Sequence, residues 1–79
     1  MPSSLRKRSV MIAGHATSLT LEEAFWHDLR RVARTRGISV NALIATVDAT
    51  RQGNLSSALR LFVLECYRKG ELRGAEAER

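Results

Sequence analysis

An alternating run that passes directly into a helix start constrains the fold more than any other feature of this sequence. Residues 16–21, which read ATSLTL, alternate in polarity and place Leu19 and Leu21 on one face, and a period of two is typical of a half-buried strand. An acidic helix start follows, in which Thr20 and Glu23 have the spacing of a capping box. We therefore predict one short strand over 16–21 and a helix that begins at Thr20 or Leu21.

Three helices are predicted after the strand. The first carries an apolar stripe that includes Leu29 and Val32, and it ends at Gly37, which suits the left-handed position after a helix. Ser39 is the natural N-cap of the second helix, and Asn54 is that of the third. Apolar residues surround most of the third helix, so we expect this helix to be buried on more than one side.

The chain is short for a self-sufficient core. At 79 residues it forms one domain at most, and chains of this size usually depend on disulfides, a metal or a partner subunit. The single cysteine, Cys66, excludes an intramolecular disulfide, and it shares no recognisable metal-ligand spacing with His15 and His27. No metal or cofactor is expected. Association with a second copy is therefore the favoured source of the additional stability that a short chain needs.

A lone strand also favours a dimer, because it leaves unpaired backbone groups along both edges. Antiparallel pairing with the same strand of a second copy would fill one edge and join the apolar faces of two chains. The predicted fold class is therefore mainly α with one short strand, which forms an intersubunit two-stranded antiparallel ribbon on the helices. The expected dimer core comprises Leu19, Leu21, Trp26, Leu29, Leu43 and Val47.

The charge distribution favours a polyanionic partner. The formal net charge is +5, with 13 Lys and Arg against 8 Asp and Glu. Arg6, Lys7 and Arg8 are consecutive and have no acidic residue nearby. A basic surplus of this kind points first to nucleic acid. A second group, interpreted as a solvated face of the first helix, comprises Arg30, Arg31 and Arg34.

The chain divides into three predicted segments: a basic flexible arm over 1–8, a folded domain over 9–69 and a frayed tail over 70–79. The apolar run after RKR breaks at Gly14, too early for a secretory leader, and no stretch approaches the length of a membrane span. A cytoplasmic protein without membrane contact is expected. The sequence contains no nucleophile–base arrangement, carboxylate pair or Gly-rich phosphate loop, so we do not expect an enzyme.

In their order and spacing, these motifs resemble the ribbon-helix-helix superfamily of bacterial and phage regulators, the Arc/MetJ-like proteins. The resemblance rests on the run TSLTLEEAFWHDLRRVARTRGISVNALI. RSV at 8–10, GH at 14–15 and NLSSALR at 54–60 look like one group of short bacterial members. The resemblance implies a homodimer that binds double-stranded DNA, as a repressor or an antitoxin-like regulator, with its ribbon in the major groove. A dimer of dimers on DNA is compatible with it.

The resemblance also implies which residues would contact DNA. The outward strand positions would face the base edges, and these are Ala16, Ser18 and Thr20, with His15 as an extension. The N-terminus of the second helix would grip a phosphate through free backbone amides and the serine hydroxyl. The expected phosphate contacts are Arg6, Lys7, Arg8, Arg36, Ser39, Val40 and Asn41.

Two alternatives stay open. LSSALRLFVLECY also resembles a second helix of the family, which would make Ser56, Ser57 and Arg60 the phosphate contacts. The short side chains on the outward strand positions also fit a dimeric protein-interaction module on the same scaffold. In that function the protein would not bind DNA specifically, and the third helix would dock a partner protein.

Overall fold

The computed structural model describes residues 4–72. Its elements are β1 (Leu5–Ile12), β2 (His15–Glu22), α1 (Glu23–Arg36), α2 (Val40–Thr50) and α3 (Leu55–Arg68). The two strands form an antiparallel hairpin, and the three helices pack against one face of it. Residues 1–3 of the predicted arm and residues 73–79 of the predicted tail lie outside the described residues.

The hairpin shows that the prediction of a lone strand is wrong. Strand β1 pairs with β2 in a register that places Ile12 opposite His15, so the connecting loop consists of Ala13 and Gly14. Both loop residues have positive φ, 52° and 82°, as two-residue hairpin turns require in order to match the twist of the strands. The ribbon of this structure therefore lies within one chain, and β1 occupies one edge of β2, the strand that was expected to pair with a second copy.

Strand β1 also takes up the second half of the predicted flexible arm, residues 5–8. The basic run at 6–8 lies in the strand, and the carbonyl oxygen of Ser4 accepts a hydrogen bond from the backbone amide of Glu23 at 2.7 Å. The apolar members of β1, Val10 and Ile12, are buried against the helices. The strand was not predicted because the charged side chains before Val10 conceal its alternation.

Helix α1 begins at Glu23, later than predicted, and the predicted capping box is wrong. Its N-cap is Glu22, which makes no side-chain capping bond, because Thr20 still belongs to β2. The predicted end of the helix is confirmed. Gly37 adopts the left-handed conformation there, with φ of 73°, and its amide donates to the carbonyl oxygen of Arg34 at 3.1 Å.

The predicted caps of α2 and α3 are confirmed. The Ser39 hydroxyl accepts a hydrogen bond from the amide of Ala42 at 3.0 Å. The Asn54 side-chain oxygen accepts one from the amide of Ser57 at 2.9 Å. Each bond satisfies an amide that would otherwise lack a partner at the start of a helix.

The core lies between the inner face of the hairpin and the three helices. Val10 and Ile12 from β1 join the predicted strand residues Leu19 and Leu21 there. Every expected dimer-core residue is buried in this single chain except Val47, which is half-buried and packs against the core. These side chains therefore stabilise the fold of the chain itself.

Helix α3 turns only one side to this core. Leu59, Val63 and Cys66 are buried, whereas Leu61 and Leu64 are 64% and 49% exposed. Within one chain, the expected burial of this helix on more than one side is therefore not met.

Residues 70–72 belong to the fold, in contrast to the predicted frayed tail. Leu72 is buried, and its carbonyl oxygen accepts a hydrogen bond from the Arg31 guanidinium at 3.1 Å. The Glu71 carboxylate accepts two bonds from Arg36, at 2.9 and 3.0 Å. This short segment thus fastens the end of α3 to α1.

Candidate nucleic-acid interface

The outward face of the hairpin is the first candidate surface. The predicted strand residues Ala16, Ser18 and Thr20 are exposed there, in phase with the burial of Leu19 and Leu21. Strand β1 adds a second exposed row that the sequence analysis did not assign to this face. The cross-strand pairs are Lys7 with Thr20, Ser9 with Ser18, and Met11 with Ala16.

The chemistry of this face changes along its length. Lys7 supplies a cation near the start of α1, the two serines supply hydroxyls in the middle, and Met11 with Ala16 forms an apolar pair beside the turn. Hydroxyls donate or accept hydrogen bonds, and an ammonium group donates only. A two-stranded ribbon is also of a size that fits the major groove of B-DNA. The face can therefore meet both polar and apolar features of base edges.

His15 does not belong to the outward row. It pairs with Ile12 and has the phase of Leu19, so it lies on the helix side of the hairpin, next to the turn. Its exposed side chain borders a groove that Asp48 and Arg51 also line. The phase of the strand thus separates His15 from the predicted base-facing residues.

A groove between β1, α1 and the start of α2 is the second candidate surface. Three of the predicted phosphate contacts, Arg8, Val40 and Asn41, line it together. They are joined by Trp26 and by Arg30, a residue that the sequence analysis assigned to a solvated helix face. The pairing of β1 with β2 brings Arg8 next to α2, which sequence spacing does not indicate.

Trp26 holds the wall of this groove in place. The side chain is buried, and its indole N–H donates to the carbonyl oxygen of Arg6 at 3.1 Å. The Arg8 guanidinium carbon lies 5.5 Å from the centroid of the Trp26 ring, within the range of a cation–π contact. Since no ion pair involves Arg8 or Arg30 within residues 4–72, the groove presents uncompensated positive charge.

The start of α2 adds donors to the same groove. The amides of Val40 and Asn41 lie in the first helical turn, where backbone N–H groups have no intrahelical acceptor and the helix dipole is positive. The Ser39 oxygen accepts the capping bond from Ala42, which leaves the hydroxyl proton free to donate. Two guanidinium groups and this helix start together form an environment suited to an anion.

Two other predicted phosphate contacts are bound to carboxylates. The Nε of Arg6 lies 3.6 Å from Oε1 of Glu23. Arg36 pairs with Glu71, and its guanidinium carbon lies 5.3 Å from the centroid of the Phe62 ring. The hydrogen bond from Arg36 lowers the pKa of the Glu71 carboxyl. Arg36 therefore contributes to the packing of α1 on α3, and its charge is compensated.

The alternative phosphate site on α3 is engaged in internal contacts. The Ser56 hydroxyl donates to the carbonyl oxygen of Thr20 at 3.0 Å. The Arg60 guanidinium donates to both oxygens of Glu22, at 2.9 and 3.2 Å, and lies over the ring of Phe25. The bond from Arg60 lowers the pKa of the Glu22 carboxyl. These contacts fasten α3 to the hairpin and favour the start of α2 as the anion site.

The part of the chain that the structure describes contains neither a three-ligand metal cluster nor a membrane-spanning helix. Within residues 4–72, no group of three His, Cys, Asp or Glu side chains could hold a metal ion. The helices of that part are too short or too polar to cross a membrane.

Comparison with known proteins gives two matches. Residues 5–67 match the sequence model of a protein family described as ribbon-helix-helix domain. The fold is similar to that of a solved structure, an uncharacterized protein from Bordetella pertussis Tohama I, with 30% sequence identity and a TM-score of 0.71. That match covers 92% of this chain and 62% of the other, so this chain spans less than two thirds of that protein. No curated protein matches this chain.

Proposed function

The chain belongs to the ribbon-helix-helix domain family, and from this premise we propose that it is a DNA-binding transcriptional regulator whose hairpin enters the major groove. The observation that carries the proposal is that the side chains of Lys7, Arg8 and Ser9 in β1 alternate between the two faces of the hairpin. Lys7 and Ser9 lie on the outward face, while Arg8 lines the groove at the start of α2. One strand thus connects a surface suited to base edges with a surface suited to phosphate.

The two surfaces have separate tasks in this proposal. Ser9, Ser18 and Thr20 hydrogen-bond base edges, and Lys7 donates to guanine or to a nearby phosphate. Arg8 and Arg30 neutralise phosphate and release counterions, which supplies affinity that depends on salt. The amides of Val40 and Asn41, together with the Ser39 hydroxyl, position the same phosphate.

We further propose that the protein works as a homodimer in the cytoplasm, as a repressor or an antitoxin-like regulator. The exposed side of α3 supports the dimer. Leu61 and Leu64 are three residues apart, so they share one face of the helix, and the ring of Phe62 is only half-buried beside them. An isologous contact across this face would bury these side chains. Two such dimers side by side on one operator are part of the same proposal.

Duplex binding tests the DNA-binding proposal. A fluorescent duplex selected from a random pool is titrated at low salt with the natural protein and with an Arg8→Gln variant. We expect the natural protein to bind and the variant to bind more weakly, because Arg8 lies in the anion-binding groove. Arg68→Gln, an equal loss of charge at the end of α3, is the matched control and should retain affinity. Failure to bind any duplex at low salt would refute the proposal.

A groove between α2 and α3 favours a second candidate function, that of a protein-interaction module. Val47, Thr50, Leu61 and Phe62 are among the residues that line it. In this function α3 docks a partner protein, and DNA binding is unspecific or absent. A Leu61→Asp variant distinguishes the two functions. A change in oligomeric state with lower DNA affinity supports the dimeric regulator, whereas loss of regulation in cells with normal dimers and normal DNA binding supports the module.

A further inference from the structure

The end of the hairpin breaks the polarity pattern of an ordinary surface strand. Val10 and Ile12 point inward and are 5% and 8% exposed, whereas Met11 between them points outward and is 55% exposed. Its cross-strand partner on the same face is Ala16. A solvent-facing strand position usually carries a polar residue, and a local departure from that pattern often marks a functional site.

The apolar pair stands at the turn end of a row whose middle is polar, and Leu5, which pairs with Glu22 at the far end, is the other exposed apolar residue of the row. The next pair along the outward face is Ser9 with Ser18. Hydroxyls can serve as donors or acceptors, so serine contacts alone discriminate weakly between base pairs. Any stronger preference of the hairpin has to come from other side chains on the face, and Met11 is the largest side chain at the turn end.

We propose that Met11 and Ala16 contact the 5-methyl groups of thymine, so that the turn end of the hairpin selects thymine-containing steps. This inference rests on the proposed function, since it requires the hairpin in the major groove. The thymine methyl is the apolar group that base edges present in that groove. The Met11 side chain is unbranched and adaptable, so it can follow the position of a methyl group on either strand of the duplex.

Removal of the methyl group tests the inference. A duplex selected from a random pool is resynthesised with deoxyuridine in place of thymidine, one position at a time, which deletes only the 5-methyl group. The natural protein should lose about fourfold in affinity at each contacted position, the expected effect of one buried methyl. The Met11→Ala variant should bind the thymidine and deoxyuridine duplexes alike at the positions that Met11 contacts. Ile38→Ala, an exposed apolar residue between α1 and α2, is the control and should keep the preference.

The possible outcomes separate this inference from the proposed function. Equal affinity of the natural protein for both duplexes, or a selected site without thymine, would overturn the inference and leave DNA binding intact. A Met11→Ala variant that keeps the preference but becomes monomeric in sedimentation would also overturn it, since the pair would then join two chains. Failure to bind any duplex would refute the proposed function itself.

Discussion

Replacement of Arg30 by Gln should reduce the salt dependence of DNA binding. Arg30 lines the groove with Arg8 at the start of α2, and no carboxylate within residues 4–72 forms an ion pair with it. Its positive charge is therefore available to a phosphate. Gln keeps the polar side chain and removes the charge, so the variant isolates the effect of counterion release from the packing of the groove.

The expected change in the salt dependence of binding follows from the number of cations in the groove. Each phosphate contact adds about 0.9 to the slope of log affinity against log salt concentration. Arg8 and Arg30 together should thus contribute about 1.8 for each bound chain, and Arg30→Gln should remove about half of that contribution. For a dimer, the natural protein should lose about 12-fold more affinity than the variant between about 50 and 200 mM salt.

Fluorescence anisotropy at several salt concentrations measures both slopes. The control is Arg68→Gln, which removes the same charge from the last turn of α3, outside the groove. We expect its slope to equal that of the natural protein. Equal slopes for Arg30→Gln and the natural protein would refute the assignment of Arg30 to a phosphate, even if both proteins bind DNA.

Three further predictions concern the turn, the thiol and the ion pair of the C-terminal segment. Ala13→Asn should raise the free energy of unfolding in urea by roughly half to 1 kcal/mol, because Asn tolerates positive φ better than Ala. Gly14→Ala should lower the free energy of unfolding by about 1 kcal/mol. Urea midpoints of both variants equal to that of the natural protein would contradict the turn geometry. Burial raises the pKa of the Cys66 thiol to about 11, so iodoacetamide should label native protein much more slowly than urea-unfolded protein; equal rates would argue against burial. The bond from Arg36 lowers the pKa of Glu71, so the stability from this pair is complete above the ordinary value of 4.5 and is lost as the pH falls through the folded value. The difference in stability between the natural protein and Glu71→Gln should therefore shrink on acidification, and a difference that grows would contradict the pairing.

Local signals in the sequence predicted the helices and the phase of β2. The caps at Ser39 and Asn54 and the stop at Gly37 depend on chemistry within a few residues, so the sequence indicates them directly. The burial of Leu19 and Leu21 follows from the period of a strand. The order and spacing of the motifs resemble the ribbon-helix-helix family, and the match over residues 5–67 confirms that resemblance.

Strand β1 was missed because its inward positions carry charge. Arg6 and Arg8 occupy the same face as Leu19 and Leu21, but their side chains remain exposed beside Trp26. The expected alternation is therefore visible only at the apolar end of the strand. Ala13 and Gly14, the two residues between the strands, were a usable signal of a hairpin, but Gly14 was interpreted only as a break in the apolar run.

The roles of the arginines depended on contacts distant in the sequence. Arg36 was expected at phosphate and is paired with Glu71, 35 positions away. Arg30 was expected on a solvated helix face; it is exposed, and it also lines the groove at α2. Charge and helix position alone do not distinguish these two residues. Whether an arginine forms an ion pair depends on whether the packed helices bring an acidic side chain within reach of it.

Amide chemical-shift mapping with a bound duplex tests the central claim most directly. A selected duplex is added to isotope-labelled protein, and the change at each backbone amide is followed by NMR. Insertion of the hairpin into the major groove predicts the largest shifts at Lys7, Ser9, Ser18 and Thr20, with a second group at Val40 and Asn41. Shifts confined to the exposed side of α3, with the hairpin unchanged, would contradict it.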